Sequence, residues 1–166
     1  MLFKVSLAFT FISSFFVLEY IERPLLINGL KFDLRIYVLI LNIYPLEIYL
    51  YEEGLVRFAT IDYKAPNSDN LHQTYMHLTN YSLNKRSANY KHTVDENQID
   101  GSKRKLTVVW KQLSQLFGND KIERTKFLIT ELINKTILAV LPELRVEYEH
   151  ELPSGKKRHI SCFQVS

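Results

Sequence analysis

An α+β fold, an antiparallel sheet with helices packed on it, is predicted by three features of the 166-residue sequence. Apolar and polar residues alternate through 29–38, the two-residue period of a half-buried strand, and strand-forming runs follow at 47–51 and 55–60. Turn signals punctuate these runs at Asn28-Gly29 and at Asn42-Ile43-Tyr44-Pro45. After Leu106 the apolar period lengthens to that of a helix. A chain of this length buries one real core, so one domain or part of one is expected.

Residues 1–18 read MLFKVSLAFTFISSFFVL, one lysine in a long apolar run. Such a run has the make-up of a signal peptide or short anchor. No small-residue cleavage site follows it, so a foreign segment from a misplaced start or unspliced junction is favoured over a true signal peptide, and the origin of residues 1–16 stays open between signal, anchor and artefact. Residues 17–166 form the domain proper. Val17 to Ile21 is expected as a short strand, broken by Arg23-Pro24. A strand follows from Lys31 to about Leu41, and Glu47 to Tyr51 returns as a hairpin. Glu52-Glu53-Gly54 reads as another turn and Leu55 to Thr60 as a third strand, which makes a meander.

Lys64 to Gln73 is rich in Pro, Asn and Asp and is expected as a surface loop. Ser87 to Asp100 is polar without apolar period and reads as a mobile loop able to order on a partner. Leu106, Val109, Trp110, Leu113, Leu116 and Phe117 mark one helix, stopped by Gly118. Ile122, Ile129, Leu132, Ile133, Thr136, Ile137 and Val140 mark a longer one, expected to end at Pro142. These stripes are core packing rather than a cofactor box. Leu152 to His159 reads as a basic loop, and Ile160 to Val165 as the start of another strand.

The net charge of +3 is mild and permits an acidic partner without demanding one. Basic residues cluster at Lys85-Arg86, Lys103-Arg104-Lys105 and Lys156-Lys157-Arg158, each by default a solvated loop. Cys162 is the only cysteine, which excludes a disulfide framework and a cysteine-based zinc site and fits a reducing compartment. His72 and His77 lack a carboxylate at ligand spacing, so no metal ligand is assigned, and His77 is expected to orient its loop or touch substrate.

The strand face made by Lys31, Asp33 and Arg35 is the feature around which the rest is organised. Phe32, Leu34 and Ile36 point the other way, into a core. Mixed charges on one face must meet water, each other or a charged ligand. A solvated sheet face and a cleft floor for a polyanion such as a nucleotide are both open on pattern alone. Arg57, inside the apolar run Leu55-Val56-Arg57-Phe58-Ala59, either faces solvent or has a specific partner. A bare Thr79-Asn80 is by default a turn or cap.

Three blocks in order change these estimates: Tyr20 to Val38, Ile48 to Thr60, and Tyr75-Met76-His77-Leu78-Thr79-Asn80-Tyr81-Ser82-Leu83-Asn84-Lys85. Together they resemble the tubulin–tyrosine ligase-like family, over roughly Val17 to Phe163 and only the middle of that family's catalytic domain. Gly101-Ser102-Lys103-Arg104 resembles the branch that adds glutamate to protein side chains. Tyr44 and Glu47 depart from the acidic and basic residues usual beside the turn proline, at edge positions where little damage is expected.

The resemblance implies the central part of an ATP-grasp domain, lacking pieces at both ends. It implies an ATP-dependent ligase that phosphorylates a carboxylate of a tubulin tail and joins glutamate to it through an acyl phosphate. Leu18, Glu19, Tyr20 and Ile21 match the adenine hinge, Lys31, Phe32 and Asp33 the nucleotide-binding strand, and Thr79 and Asn80 the pair near the phosphates. Arg57, Tyr81 and Lys103 match contacts to the incoming L-glutamate, and Arg35 is the expected catalytic cation. ATP and magnesium are the implied cofactors, with the magnesium carboxylates expected beyond Ser166, so this chain alone is expected not to ligate. Tubulin or microtubules are the expected partner, with no nucleic acid or membrane role. The expected place is the cytoplasm and cytoskeleton, including cilia and basal bodies. The alternatives are a non-catalytic microtubule binder that docks through Lys85, Arg86 and 103–105, and a secreted or tethered product of the apolar N-terminus.

Overall fold

The computed structural model describes residues 19–95 and 97–151. Readings that fall on 1–18 and 152–166 lie outside the described residues. These include Leu18, Val17, the basic cluster at 156–158, Cys162 and the strand from Ile160.

The α+β expectation holds. Four antiparallel strands lie in the order β1 (Leu26–Ile27), β2 (Leu30–Ile43), β3 (Leu46–Phe58) and β4 (Lys103–Lys105). Two single-turn helices, α1 (Thr74–His77) and α2 (Tyr81–Asn84), follow β3, and two long helices, α3 (Leu106–Phe117) and α4 (Asn119–Glu151), follow β4. The Asn28-Gly29 turn forms as predicted, with φ of 52° and 77°, the two positive values a tight two-residue hairpin needs. The β2–β3 turn falls at Tyr44-Pro45.

The meander is corrected to one long hairpin. Glu52-Glu53-Gly54 makes no turn, because β3 runs through it. Ile36 pairs with Gly54 and Val38 with Leu50, so three β3 residues face Tyr37 alone, and two of them are extra. Gly54 is required there by space: a Cβ would lie 2.5 Å from the Arg35 carbonyl and 3.0 Å from the Leu106 side chain. Glu53 in the bulge caps α3, accepting from the Thr107 N–H at 3.1 Å and the Thr107 hydroxyl at 2.8 Å. Burial alone would raise the Glu53 carboxyl. The Gly54 and Thr107 hydrogen bonds and the nearby Lys105 charge outweigh it and hold the group below its usual range.

Glu19 to Ile21 is not a strand, since no neighbouring strand among the described residues offers it a ladder. Helix α3 ends as expected at Gly118, whose φ is 89° and whose N–H bonds the Ser114 carbonyl at 2.8 Å. Helix α4 does not stop at Pro142. The proline removes the hydrogen bond to the Leu138 carbonyl, but Leu138 is 56% exposed, so water can take that acceptor. The inward stripe of α4 is Ile122, Ile129, Ile133, Ile137 and Leu141, while Leu132 and Val140 point to solvent.

The core lies on one side of the sheet. Ile27, Val56 and Phe58 meet Leu106, Val109 and Leu113 of α3 and Ile122 of α4, with Phe32, Leu34 and Ile36 packed against them. The charged residues of β2 are left on the opposite side.

Candidate functional site

Cross-strand register builds the site. Asp33 pairs with Arg57 and Arg57 with Lys103, so these three form one row across β2, β3 and β4. Arg35, Leu55 and Lys105 form the next row on the same face. Phe32 points away, with its ring 5.5 Å from that of Phe58 in the core, so only its backbone borders the charged face.

The segment 77–84 crosses the end of this face and is held from several sides. The Thr79 hydroxyl donates to Asp33 Oδ2, and Thr79 itself is buried. Lys31 Nζ donates to the His77 carbonyl at 2.7 Å and lies 5.4 Å from the Tyr20 ring. His77 is buried with both ring nitrogens engaged: Nε2 with the Asn70 carbonyl at 3.1 Å, Nδ1 with the Tyr20 hydroxyl at 2.7 Å. A carbonyl only accepts, so Nε2 carries the proton and Nδ1 accepts from Tyr20. Burial, then the Tyr63 hydroxyl, push the Tyr20 phenol well above its usual range and keep it a donor. His77 thus orients the loop, the first of its two expected roles.

Asn84 was not singled out by the sequence. It is 1% exposed, accepts from the Thr60 hydroxyl at 3.0 Å, and donates to the Leu78 carbonyl at 2.7 Å and the Asn80 carbonyl at 3.2 Å. It therefore fastens the loop bearing Thr79 and Asn80 to the end of β3. Asn80 is exposed and precedes α2.

Arg57 is partly buried, and its Nε is buried with no hydrogen-bond partner among the described residues. A buried N–H without an acceptor is costly, so this edge of the guanidinium is unsatisfied in the chain as described. Tyr90 lies near enough to Arg57 to feel its charge, and the Tyr90 and Tyr81 rings are 5.9 Å apart. Burial raises the Tyr90 phenol and Tyr81 adds to this, against the pull of the Arg57 charge. Tyr90 lies in the segment expected to be mobile. The structure instead ties that segment to β4: the Ser102 N–H bonds the Lys91 carbonyl, the Lys91 N–H bonds the Ser102 hydroxyl, and Thr93 donates to the Lys103 carbonyl.

Lys103 and Arg35 are exposed on this face. Glu19, Tyr20 and Ile21 are exposed beside the 77–84 loop. The basic cluster 103–105 is a strand rather than a loop, and Arg104 is 2% exposed on the core side. Among the described residues no group of three or more His, Cys, Asp or Glu gathers to hold a metal, and no helix is long and apolar enough to cross a membrane.

A sequence profile described as "Tubulin-tyrosine ligase family" matches residues 9–164. The chain is 45% identical over 149 residues to Tubulin polyglutamylase TTLL11 of Mus musculus, covering 90% of this chain and 20% of that protein. It is 40% identical over 146 residues to Tubulin polyglutamylase TTLL6 of Mus musculus, with 88% and 17% covered. It is 43% identical over 150 residues to the Probable beta-tubulin polyglutamylase of Tetrahymena thermophila, with 90% and 12% covered. The chain spans a fifth or less of the length of these relatives.

Proposed function

The chain belongs to the tubulin–tyrosine ligase family, and from this membership we propose that it supplies the nucleotide and amino-acid floor of an ATP-dependent tubulin polyglutamylase of the ATP-grasp type. The observation that carries the proposal is the row Asp33–Arg57–Lys103, flanked by Lys31 and Arg35 on the same face. Lys31 and Asp33, fixed to the 77–79 segment, hold the nucleotide with Thr79 and Asn80. The Glu19–Ile21 backbone borders the base. Arg57 takes the α-carboxylate of L-glutamate through its guanidinium, whose Nε has no partner among the described residues, with Tyr81 alongside, and Lys103 takes the side-chain carboxylate.

ATP phosphorylates a side-chain carboxylate of an acidic tubulin tail, and the glutamate amine then displaces phosphate. Arg35 stabilises the negative charge that develops on the oxygens of the acyl phosphate and of the tetrahedral intermediate. Magnesium, when bound with the nucleotide, neutralises phosphate charge. The donors on this face are mainly cationic and Asp33 is engaged by Thr79, a set that suits phosphate oxygens rather than the metal, so we assign the metal no ligand in this chain. The setting that follows is the tubulin cytoskeleton.

Titration of the chain with a fluorescent ATP analogue and with L-glutamate tests the reading. Charge-assisted hydrogen bonds are worth about 1.5–3 kcal/mol, so Arg57→Ala should weaken glutamate by roughly ten- to a hundredfold and leave the nucleotide unaffected. Lys31→Ala should do the reverse. Equal loss of both ligands in either variant would refute the division of the face into two subsites. Co-sedimentation with microtubules by a chain that binds neither ligand would favour a plain docking role for exposed Lys85 and Arg86.

A further inference from the structure

Lys103 sits on β4, a strand of three residues that among the described residues forms a ladder with β3 alone, the Thr93 hydroxyl meeting the Lys103 carbonyl from the other edge. A ladder that short holds a side chain poorly by itself. What fixes it lies on the reverse face. Arg104 Nε donates to the Gly101 carbonyl at 2.8 Å, and Nη1 donates to Gln112 Oε1 on α3 at 3.2 Å. The guanidinium carbon lies 3.8 Å from the centre of the Phe58 ring. One side chain thus joins β4 to the turn before it, to α3 and to β3. Gly101 completes the clamp, since a Cβ there would lie 2.6 Å from Thr93 Oγ1.

Stability alone does not explain a guanidinium in this place. Burial pulls it down to about 10, with Asp100's charge acting the other way, and no carboxylate among the described residues lies within ion-pair distance. A buried charge held by hydrogen bonds and an aromatic face, with no counter-ion, carries a desolvation cost that no ion pair offsets. The planar fork, by contrast, fixes direction in a way that methionine or lysine does not.

We propose that Arg104 is a positioning residue for Lys103, setting from the core side where that lysine meets the second carboxylate of the incoming amino acid. The proposal rests on the polyglutamylase reading above. In it, Arg104 never touches the ligand. It acts through the strand, and so it governs selection of glutamate over glutamine while the nucleotide subsite on β2 is left alone.

The test compares the unaltered chain with Arg104→Met and Arg104→Lys. Three measurements are made: binding of L-glutamate, L-glutamine and a fluorescent ATP analogue; the thermal midpoint; and amide hydrogen exchange along β2–β4. Arg104→Met should keep the nucleotide affinity, lower the thermal midpoint by only a few degrees, exchange faster at 103–105, and bind glutamate about tenfold or more weakly, the usual consequence of a misplaced contact. Arg104→Lys should keep the charge and still lose glutamate. Glutamate affinity unchanged in Arg104→Met would overturn the proposal, as would loss of glutamate, nucleotide and thermal stability in step. If the unaltered chain shows no preference for glutamate over glutamine, the amino-acid reading of the site fails. Exchange at 103–105 then decides separately whether Arg104 sets β4, and unchanged exchange refutes it.

Discussion

Asn84→Asp changes one atom type in a sealed place, so its consequences can be worked out from three distances. In the native chain Asn84 Oδ1 accepts from Thr60, while Nδ2 donates at 2.7 Å to the Leu78 carbonyl and at 3.2 Å to the Asn80 carbonyl. Aspartate keeps the first contact and sets a carboxylate oxygen against both carbonyls. The folded-state carboxyl is then raised by burial and by those acceptors, by about 2–3 pH units for such a site. Each unit is about 1.4 kcal/mol, so the ionised form costs about 3–4 kcal/mol, which already contains the lost hydrogen bond to Leu78, and the weaker bond to Asn80 adds up to about 1 kcal/mol.

Because the folded value lies above the unfolded one, the penalty is small below the unfolded carboxyl range of about pH 4, where the protonated group donates to Leu78. It grows as pH rises and is complete above the folded value. Urea unfolding of both proteins at pH 4.5 and pH 8 should therefore give a gap of about 1 kcal/mol widening to about 3–5 kcal/mol. A gap under about 1 kcal/mol at pH 8, or one equal at the two pH values, would refute the hydrogen-bond geometry given for Asn84.

Two further outcomes follow from β3. Gly54→Ala should cost about 1–3 kcal/mol in urea unfolding, because the added carbon meets the Arg35 backbone, which cannot turn aside as a side chain would. Full retention of stability would mean the strands are not so close. Glu53→Gln should lower the thermal midpoint at neutral pH. Since the native carboxyl is held below its usual range, the stability it adds is present above that range and is lost as pH falls through the folded value. The difference between the two proteins should close on acidification, and a constant difference would count against the Glu53 cap on α3.

The parts of the fold that were legible in the sequence are those where local chemistry has one solution. Asn28-Gly29 admits the two positive φ values of a tight hairpin, alternation from Lys31 to Ile36 sorts charge from core, and Gly118 stops a helix. Glu52-Glu53-Gly54 misled because glycine serves both turns and close approaches, and only the carbonyl of Arg35, nineteen positions earlier, tells which it is. Pro142 misled because the cost of its missing N–H depends on whether water reaches Leu138. At the site, the spacing of Lys31, Asp33 and Arg35 gave their common face, but the row through Arg57 to Lys103 depends on pairing between distant strands. Asn84 and Tyr90 carry no periodic signal, as each is defined by what it touches. Arg104 stood within a basic cluster, and only parity along β4 separates its inward side chain from its outward neighbours.

The two surplus residues of β3 opposite Tyr37 also bear on how this hairpin tolerates changes of length. Two is one full repeat of the pleat, so the detour returns the strand with up and down unchanged, and Arg57 keeps company with Asp33 whatever happens nearer the tip. Deleting the pair would remove the detour opposite Tyr37 and spare both ends, leaving only the single extra β2 residue, Leu41, between Ile40 and Asn42. Deleting one would invert everything on the tip side, from Leu50 back to Leu46, while Val56 and Phe58, wedged beneath α3, stayed where they are.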